Sequence, residues 1–261
     1  MIPDTAFWHA LADAADKATL PHFRSGGRTS NKASAGFDPV TEADRAAERA
    51  IRELIEQAFP DDAILGEEEA PTDGASGRRW VIDPIDGTRA FVAGIPTWMT
   101  LIGLEVDGVG VAGLASQPWT GERFLSTNGS TGLHRQGERI RLATRSTQPA
   151  DAIVMTVDPF LFEGSGLRAF ETMREQCRLV RYSSDAYAFC ALAAGAVQVA
   201  FERDVQPYDV GALIPIVEGA GGVFTRWDGG RPEQGGNVVA AASAELHDWA
   251  LSHLQPVSPS H

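Results

Sequence analysis

The chain has 261 residues, two cysteines and a formal net charge of −13. That length suffices for one large domain or two packed subdomains around a sizeable core. The charge argues against a nucleic-acid or anionic-membrane partner, since both need a basic face. The N-terminus lacks the basic-plus-apolar pattern of a signal peptide, and no apolar run reaches the length of a membrane span. Cys177 and Cys190 are too few and too far apart for a disulfide framework or a CxxC site. Both read as reduced thiols, which places the chain in the cytoplasm.

In chain order, Phe7, Leu11, Ala14, Ala15, Ala18 and Leu20 form a helical stripe over Thr5 to Phe23, ended by Ser25-Gly26-Gly27. The polar stretch Arg28 to Phe37 follows. A second helix opens at Thr41-Glu42-Ala43-Asp44, buries Ile51, Leu54, Ile55 and Phe59, and stops at Pro60-Asp61-Asp62. The apolar Ala63-Ile64-Leu65 runs into Gly66-Glu67-Glu68-Glu69. Val81 and Ile82 read as the end of a buried strand that Pro84 and Gly87 turn aside. Trp98 to Val106 and Gly110 to Gln117 pair across Asp107-Gly108, and Arg123 to Ser126 and Glu138 to Leu142 continue the sheet.

Composition shifts around Thr144 to Asp151, so a boundary is expected there, with subdomains 1–145 and 146–261. The second half alternates strands (Ile153 to Val157, Arg178 to Tyr182, Val197 to Phe201, Val223 to Thr225, Asn237 to Ala242) with helices. The helices are Leu167 to Gln176, Ala186 to Ala194, Asp209 to Ala220 with a kink at Pro215, and Leu246 to Leu254.

The chemistry lies in the acids. Asp83 and Asp86 stand three residues apart on a stiff turn at a strand's end, where open α/β sheets place ligands. A lone DxxD is more often a turn or a helix cap. Here Glu67 and Asp209 also sit at breaks between apolar elements, and that many acids meeting in a cleft would repel. Divalent cations resolve the repulsion. All-oxygen ligation points to Mg2+ or Mn2+ rather than Zn2+, and a pair of such ions suits phosphoester cleavage. Gly87-Thr88 opens a segment whose free amides suit a phosphate. No P-loop, GxSxG or HExxH pattern competes. The six histidines are scattered away from the acid clusters and read as surface or packing residues.

At Gly66-Glu67-Glu68, Asp83-Pro84-Ile85-Asp86-Gly87-Thr88, Tyr208-Asp209 and Gly219-Ala220-Gly221-Gly222, the sequence resembles the inositol monophosphatase superfamily, and Asp44 in Pro39-Val40-Thr41-Glu42-Ala43-Asp44 matches a further motif acid. The resemblance covers nearly the whole chain. It implies an α/β fold, a layered αβαβα sandwich of the inositol monophosphatase / fructose-1,6-bisphosphatase type, usually a homodimer. It also implies a Mg-dependent, lithium-sensitive phosphatase with two or three ions, Mn being possible. Glu67, Asp83 and the carbonyl of Ile85 resemble ligands of a first metal; Asp83, Asp86 and Asp209 resemble those of a second. Third-metal contacts involve Glu67 and Asp44. Asp44 resembles the acid that pairs with Thr88, while Thr88 and Glu67 orient the attacking water. Gly87 and Thr88 hold the phosphate. The segment Arg28 to Phe37 is expected to close over the site, with Lys32 positioning water or phosphate.

Within the superfamily the chain is similar to the histidinol-phosphate phosphatase branch. That likeness rests on Gly87-Thr88-Arg89-Ala90-Phe91, Gln117-Pro118, Tyr182-Ser183-Ser184-Asp185-Ala186-Tyr187 and Gln206-Pro207-Tyr208-Asp209-Val210. Inositol phosphatases more often carry Trp before the last acid. A substrate bearing an ammonium group and an imidazole needs carboxylate partners. Asp185, at a helix start, and Glu202, at a strand end seven residues before Asp209, are expected to meet the amine; otherwise Asp185 is a helix N-cap and Glu202 a solvated charge. The leading expectation is therefore hydrolysis of L-histidinol phosphate in histidine biosynthesis. The alternatives are inositol-1-monophosphatase and, in another class, a non-catalytic relative that binds phosphorylated metabolites.

Overall fold

The computed structural model describes residues 2–25, 29–31 and 39–254. Lys32 lies outside them, as does most of the segment expected to close over the site. Helix α1 (Thr5–Thr19) is followed by β1 (Thr29–Asn31), β2 (Pro39–Thr41) and α2 (Glu42–Ala58). Next come β3 (Ala63–Gly66), β4 (Arg78–Asp86), α3 (Thr88–Ala93), β5 (Met99–Val106), β6 (Val109–Gln117), β7 (Glu122–Thr127), β8 (Ser130–Arg135) and β9 (Glu138–Arg141). The second half runs β10 (Ile153–Thr156), α4 (Gly164–Gln176), β11 (Leu179–Tyr182), α5 (Asp185–Ala193), β12 (Val199–Val205), α6 (Pro207–Val210), α7 (Leu213–Gly219), β13 (Val223–Arg226), β14 (Gly236–Ala241) and α8 (Ala244–Leu254).

Two sheets carry the architecture. One has seven strands in order β3-β4-β5-β6-β7-β8-β9, and the other has five in order β11-β10-β12-β14-β13. Helices α1 and α2 cover the outer face of the larger sheet through Trp8, Leu11, Ile51, Ile55, Trp80, Ile102 and Leu104. Helices α4 and α8 cover the outer face of the smaller sheet through Phe170, Met173, Phe201, Val239 and Leu246. Between the sheets, α5 to α7 pack Phe189, Val210, Leu213, Ile216 and Val217 against Met99, Leu101, Val238 and Ala240. Alternate residues of one strand thus enter different cores, Leu101 inward and Ile102 outward. The result is an αβαβα sandwich, as the resemblance implied. The middle core takes residues from both sides of the expected boundary near 145.

The structure differs from the sequence reading at several elements. Helix α1 ends at Thr19 rather than near Phe23. Strand β4 runs through Pro84 to Asp86, with a register shift between Asp83 and Asp86 where it pairs with β5. A bulge leaves a residue outside the ladder, which is where a proline fits a strand. Strand β8 was missed because its short run Ser130–Arg135 mixes polar and apolar residues. The helix expected over Asp209 to Ala220 is two, α6 and α7, broken at Gly211-Ala212. Pro215 has no N–H for the Gly211 carbonyl four residues back, so the break falls there.

Candidate active site

Three elements and one turn deliver the acids to one place. Asp83 and Asp86 come from β4, Asp209 from α6, Asp44 from α2, and Glu67 from the turn after β3. Carboxylate oxygens of Asp83, Asp86 and Asp209 lie within 4.8 Å of one another, the single such group among the described residues. Asp83 is 2% exposed and feels the charges of Glu67, Asp86, Asp209 and Asp44.

Backbone amides aim the three central carboxylates. Ile85 N donates to Asp83 Oδ1 at 3.0 Å, Ala186 N to Asp86 Oδ2 at 2.7 Å, and Gln206 N to Asp209 Oδ2 at 2.6 Å. The Ala186 amide belongs to the first turn of α5, so Asp86 satisfies an otherwise orphaned helix N–H from another element. The β4 bulge turns both Asp83 and Asp86 toward α5 and α6. Gly87, at φ +80°, turns the chain into α3. A Cβ there would stand 2.8 Å from Asp185 Oδ2, so the position takes glycine on two counts. Thr88 Oγ1 donates to the Ile85 carbonyl at 3.2 Å.

The electrostatics show what the cluster lacks. Burial first, then the neighbouring acids, raises Asp83 well above the usual carboxylate range; burial and then Asp185 and Asp209 do the same to Asp86. Burial raises Asp209 to about 6. Like charges this close cannot all ionise without a counter-charge. An all-oxygen donor set of carboxylates beside a backbone carbonyl is that of a hard divalent cation, and these residues fit one.

Asp185 and Glu202 border the same cavity, of about 450 Å³, with Asp86, Gly87, Thr88 and Asp209. Asp185 is the first residue of α5, not its cap; Ser184 holds the cap position. It takes φ +44°, an uncommon conformation for a non-glycine residue. Glu202 lies within β12 rather than at its end, where the register against β14 shifts between Glu202 and Val205. Its Oε1 is shielded from solvent and has no hydrogen-bond partner. Burial, then Asp185 and Asp209, raises Glu202 to about 8; burial raises Asp185 to about 6, with Arg89 opposing. Sequence reasoning missed the apolar wall of Val157, Leu161, Phe189 and Leu213. It also missed Arg203, whose Nη1 donates to the Leu161 carbonyl at 2.7 Å across the cavity rim. These residues come from separate elements and share no local pattern.

The described histidines stay out of this cavity. His9 Nε2 meets His134 Nδ1 at 3.3 Å, and His247 Nε2 meets Thr225 Oγ1 at 2.8 Å. Cys190 is buried and Cys177 half-buried, and both are free thiols. Among the described residues, no helix is long and apolar enough to cross a membrane.

A layered sandwich with this acid cluster at its centre is the framework of a metal-dependent phosphatase. The chain belongs to the inositol monophosphatase family, whose profile matches residues 3–258. It is 38% identical to a histidinol-phosphatase of Chlorobaculum parvum, with 85% of each chain covered. It is 36% identical to a histidinol-phosphatase of Mycobacterium tuberculosis, with 94% of this chain and 95% of that one covered. Among solved structures, an inositol monophosphatase from Zymomonas mobilis superposes with a TM-score of 0.82 at 37% identity, covering 95% of this chain and 96% of that one. The substrate in this family is a phosphorylated small molecule.

Proposed function

We propose that the protein is a Mg2+-dependent phosphomonoesterase that hydrolyses L-histidinol phosphate to L-histidinol and phosphate, as in histidine biosynthesis. The carrying observation is Glu202, which lines the acid cavity beside Asp185 and whose Oε1 is shielded from solvent without a hydrogen-bond partner. A buried acceptor left unmade is costly, and an ammonium group beyond the phosphate satisfies it. Asp185 gives the amine a second carboxylate, and Val157, Leu161, Phe189 and Leu213 give a flat imidazole an apolar wall. The histidinol-phosphatase relatives support the same reading.

In this reading Glu67, Asp83 and the Ile85 carbonyl would hold one cation, and Asp83, Asp86 and Asp209 a second; Mn2+ could replace Mg2+, and Glu67 and Asp44 would serve a third. Bound divalent cations supply Lewis-acid polarisation of the phosphate and of the attacking water. The chain's own groups do the rest. Thr88 and Glu67 would orient that water, although Thr88 Oγ1 gives its proton to the Ile85 carbonyl rather than to Asp44. The Gly87-Thr88 turn holds the phosphate, and Asp185 with Glu202 anchors the amine. We place the enzyme in the cytoplasm as a homodimer.

Inositol-1-phosphate is the second reading. A neutral Glu202 can bond a hydroxyl, and the Zymomonas mobilis relative carries the inositol monophosphatase name. A substrate panel with purified protein and Mg2+ separates the two. The expected result is a kcat/KM for histidinol phosphate at least about a hundredfold above that for inositol 1-phosphate, the discrimination available when buried polar groups lose their partners. Asp185→Asn and Glu202→Gln are each expected to raise KM for histidinol phosphate by about tenfold or more. Equal turnover of the two substrates defeats the specific assignment, and unchanged KM in both variants removes the amine anchor.

A further inference from the structure

Helix α2 carries a buried polar stripe, Asp44, Glu48 and Arg52, at intervals of four residues beside its apolar face. Asp44 adds its charge to those felt by Asp83. Glu48 faces the turn that carries Glu67. It is 0% exposed, and three donors converge on its carboxylate. Glu68 N donates to Oε2 at 2.7 Å; Glu69 N and Arg52 Nε donate to Oε1 at 3.1 and 2.8 Å. Arg52 also donates through Nη2 to the Glu69 carbonyl at 3.3 Å. On the other side, Glu67 N donates to the Ile82 carbonyl of β4 at 3.2 Å. Gly66 completes the fit, because a Cβ there would lie 2.0 Å from Glu48 Oε1.

A buried ion pair is a poor way to stabilise a fold, since apolar residues of similar volume do as well or better. The charge instead provides two fixed acceptors for consecutive amides of a turn that belongs to no helix or strand. We propose that Glu48 is a positioning residue: it clamps the Glu67–Glu69 turn from behind so that the Glu67 carboxylate faces Asp83. The inference rests on the reading of Glu67 as a metal ligand. Groups that hold a ligating carboxylate typically change metal affinity by about 10–100-fold when removed.

The test measures Mn2+ binding by electron paramagnetic resonance of the free ion, with melting temperature in EDTA as the check on folding. Glu48→Gln alone takes the close charge partner from the buried Arg52, leaving it the Glu69 carbonyl and a Glu69 carboxylate 4.0 Å away, and loses stability for that reason, so the decisive protein is the neutral pair Glu48→Gln/Arg52→Leu. It is expected to melt near wild type, to bind Mn2+ about tenfold more weakly, and to keep its substrate KM within about twofold once metal is saturating. Gly66→Ala drives a methyl into the Glu48 carboxylate from the opposite side and is expected to weaken Mn2+ in the same way. If the neutral pair or, should it not fold, Gly66→Ala binds Mn2+ as wild type does, the clamp is overturned. A wild type that binds no Mn2+ removes the metal reading and the clamp with it. A wild type that binds Mn2+ but prefers another phosphomonoester removes only the substrate assignment.

Discussion

Asp83 is buried beside four other acids, and one of its oxygens is held by the Ile85 amide at 3.0 Å. Asparagine keeps that oxygen and removes the charge. Asp83→Asn is therefore expected to lose turnover by on the order of 10²–10³ and yet to melt about 3 °C above wild type in EDTA at pH 7.5. Calorimetry beside a phosphate-release assay checks both halves; a variant that is inactive and also melts lower would show that Asp83 serves the fold. Asp83 and Asp86 were legible in the sequence because Pro84 and Gly87 mark the turn between them and its neighbours. Glu48 was not, because two of its three partners are backbone amides, which carry no residue signature.

At the scale of elements, the placement of Asp209 depends on how closely α6 and α7 approach the large sheet. Gly103 and Gly113, on neighbouring strands, face the α6–α7 junction; a Cβ on Gly113 would stand 2.2 Å from the Ala212 carbonyl oxygen. Gly113→Ala must push the junction away, at a cost of about 1–3 kcal/mol, and carry Asp209 with it. The expected outcome is a melting temperature lower by about 5 °C and a kcat/KM reduced by more than about tenfold. Gly110→Ala is the control on the same strand, since its Cβ meets nothing closer than Pro215 Cδ at 3.5 Å; both readouts should stay near wild type. Continuous apolar runs made β4, β5 and β6 readable. They gave no warning of the breaks inside β4 and between α6 and α7, which follow from prolines acting on partners several residues or a strand away.

For the whole molecule, the acid cluster sets how stability depends on pH. Glu202, raised to about 8 from 4.5, and Asp185 and Asp209, raised to about 6 from 3.8, keep their protons in the folded state after the unfolded chain has released them. Their contribution is fully present below about pH 4 and is lost as pH rises through about 6 and then about 8. The metal-free protein should thus melt progressively lower between pH 5 and about 8.5 in EDTA. Added Mg2+ should restore more stability at the upper end than at the lower, because cation binding requires the deprotonated acids. A melting temperature independent of pH in EDTA would contradict this arrangement. Lithium, competing for the second cation position, is expected to inhibit at tens of millimolar, and a flat lithium titration of phosphate release would count against that position.

The sequence by itself determined the kinds of chemistry and the order of the elements. It placed acids at the ends of apolar runs, excluded the common nucleophile and P-loop motifs, and alternated strands and helices through its second half. Those are local properties, set by residue type and periodicity. Only the tertiary structure decided that carboxylates from β4, α6, α2 and the Glu67 turn come together, that Glu202, beside a register shift in β12, lines the cavity, and that Glu48 lies behind Gly66. Each of these depends on which backbone amide meets which oxygen across packed elements, and no spacing along the chain encodes that.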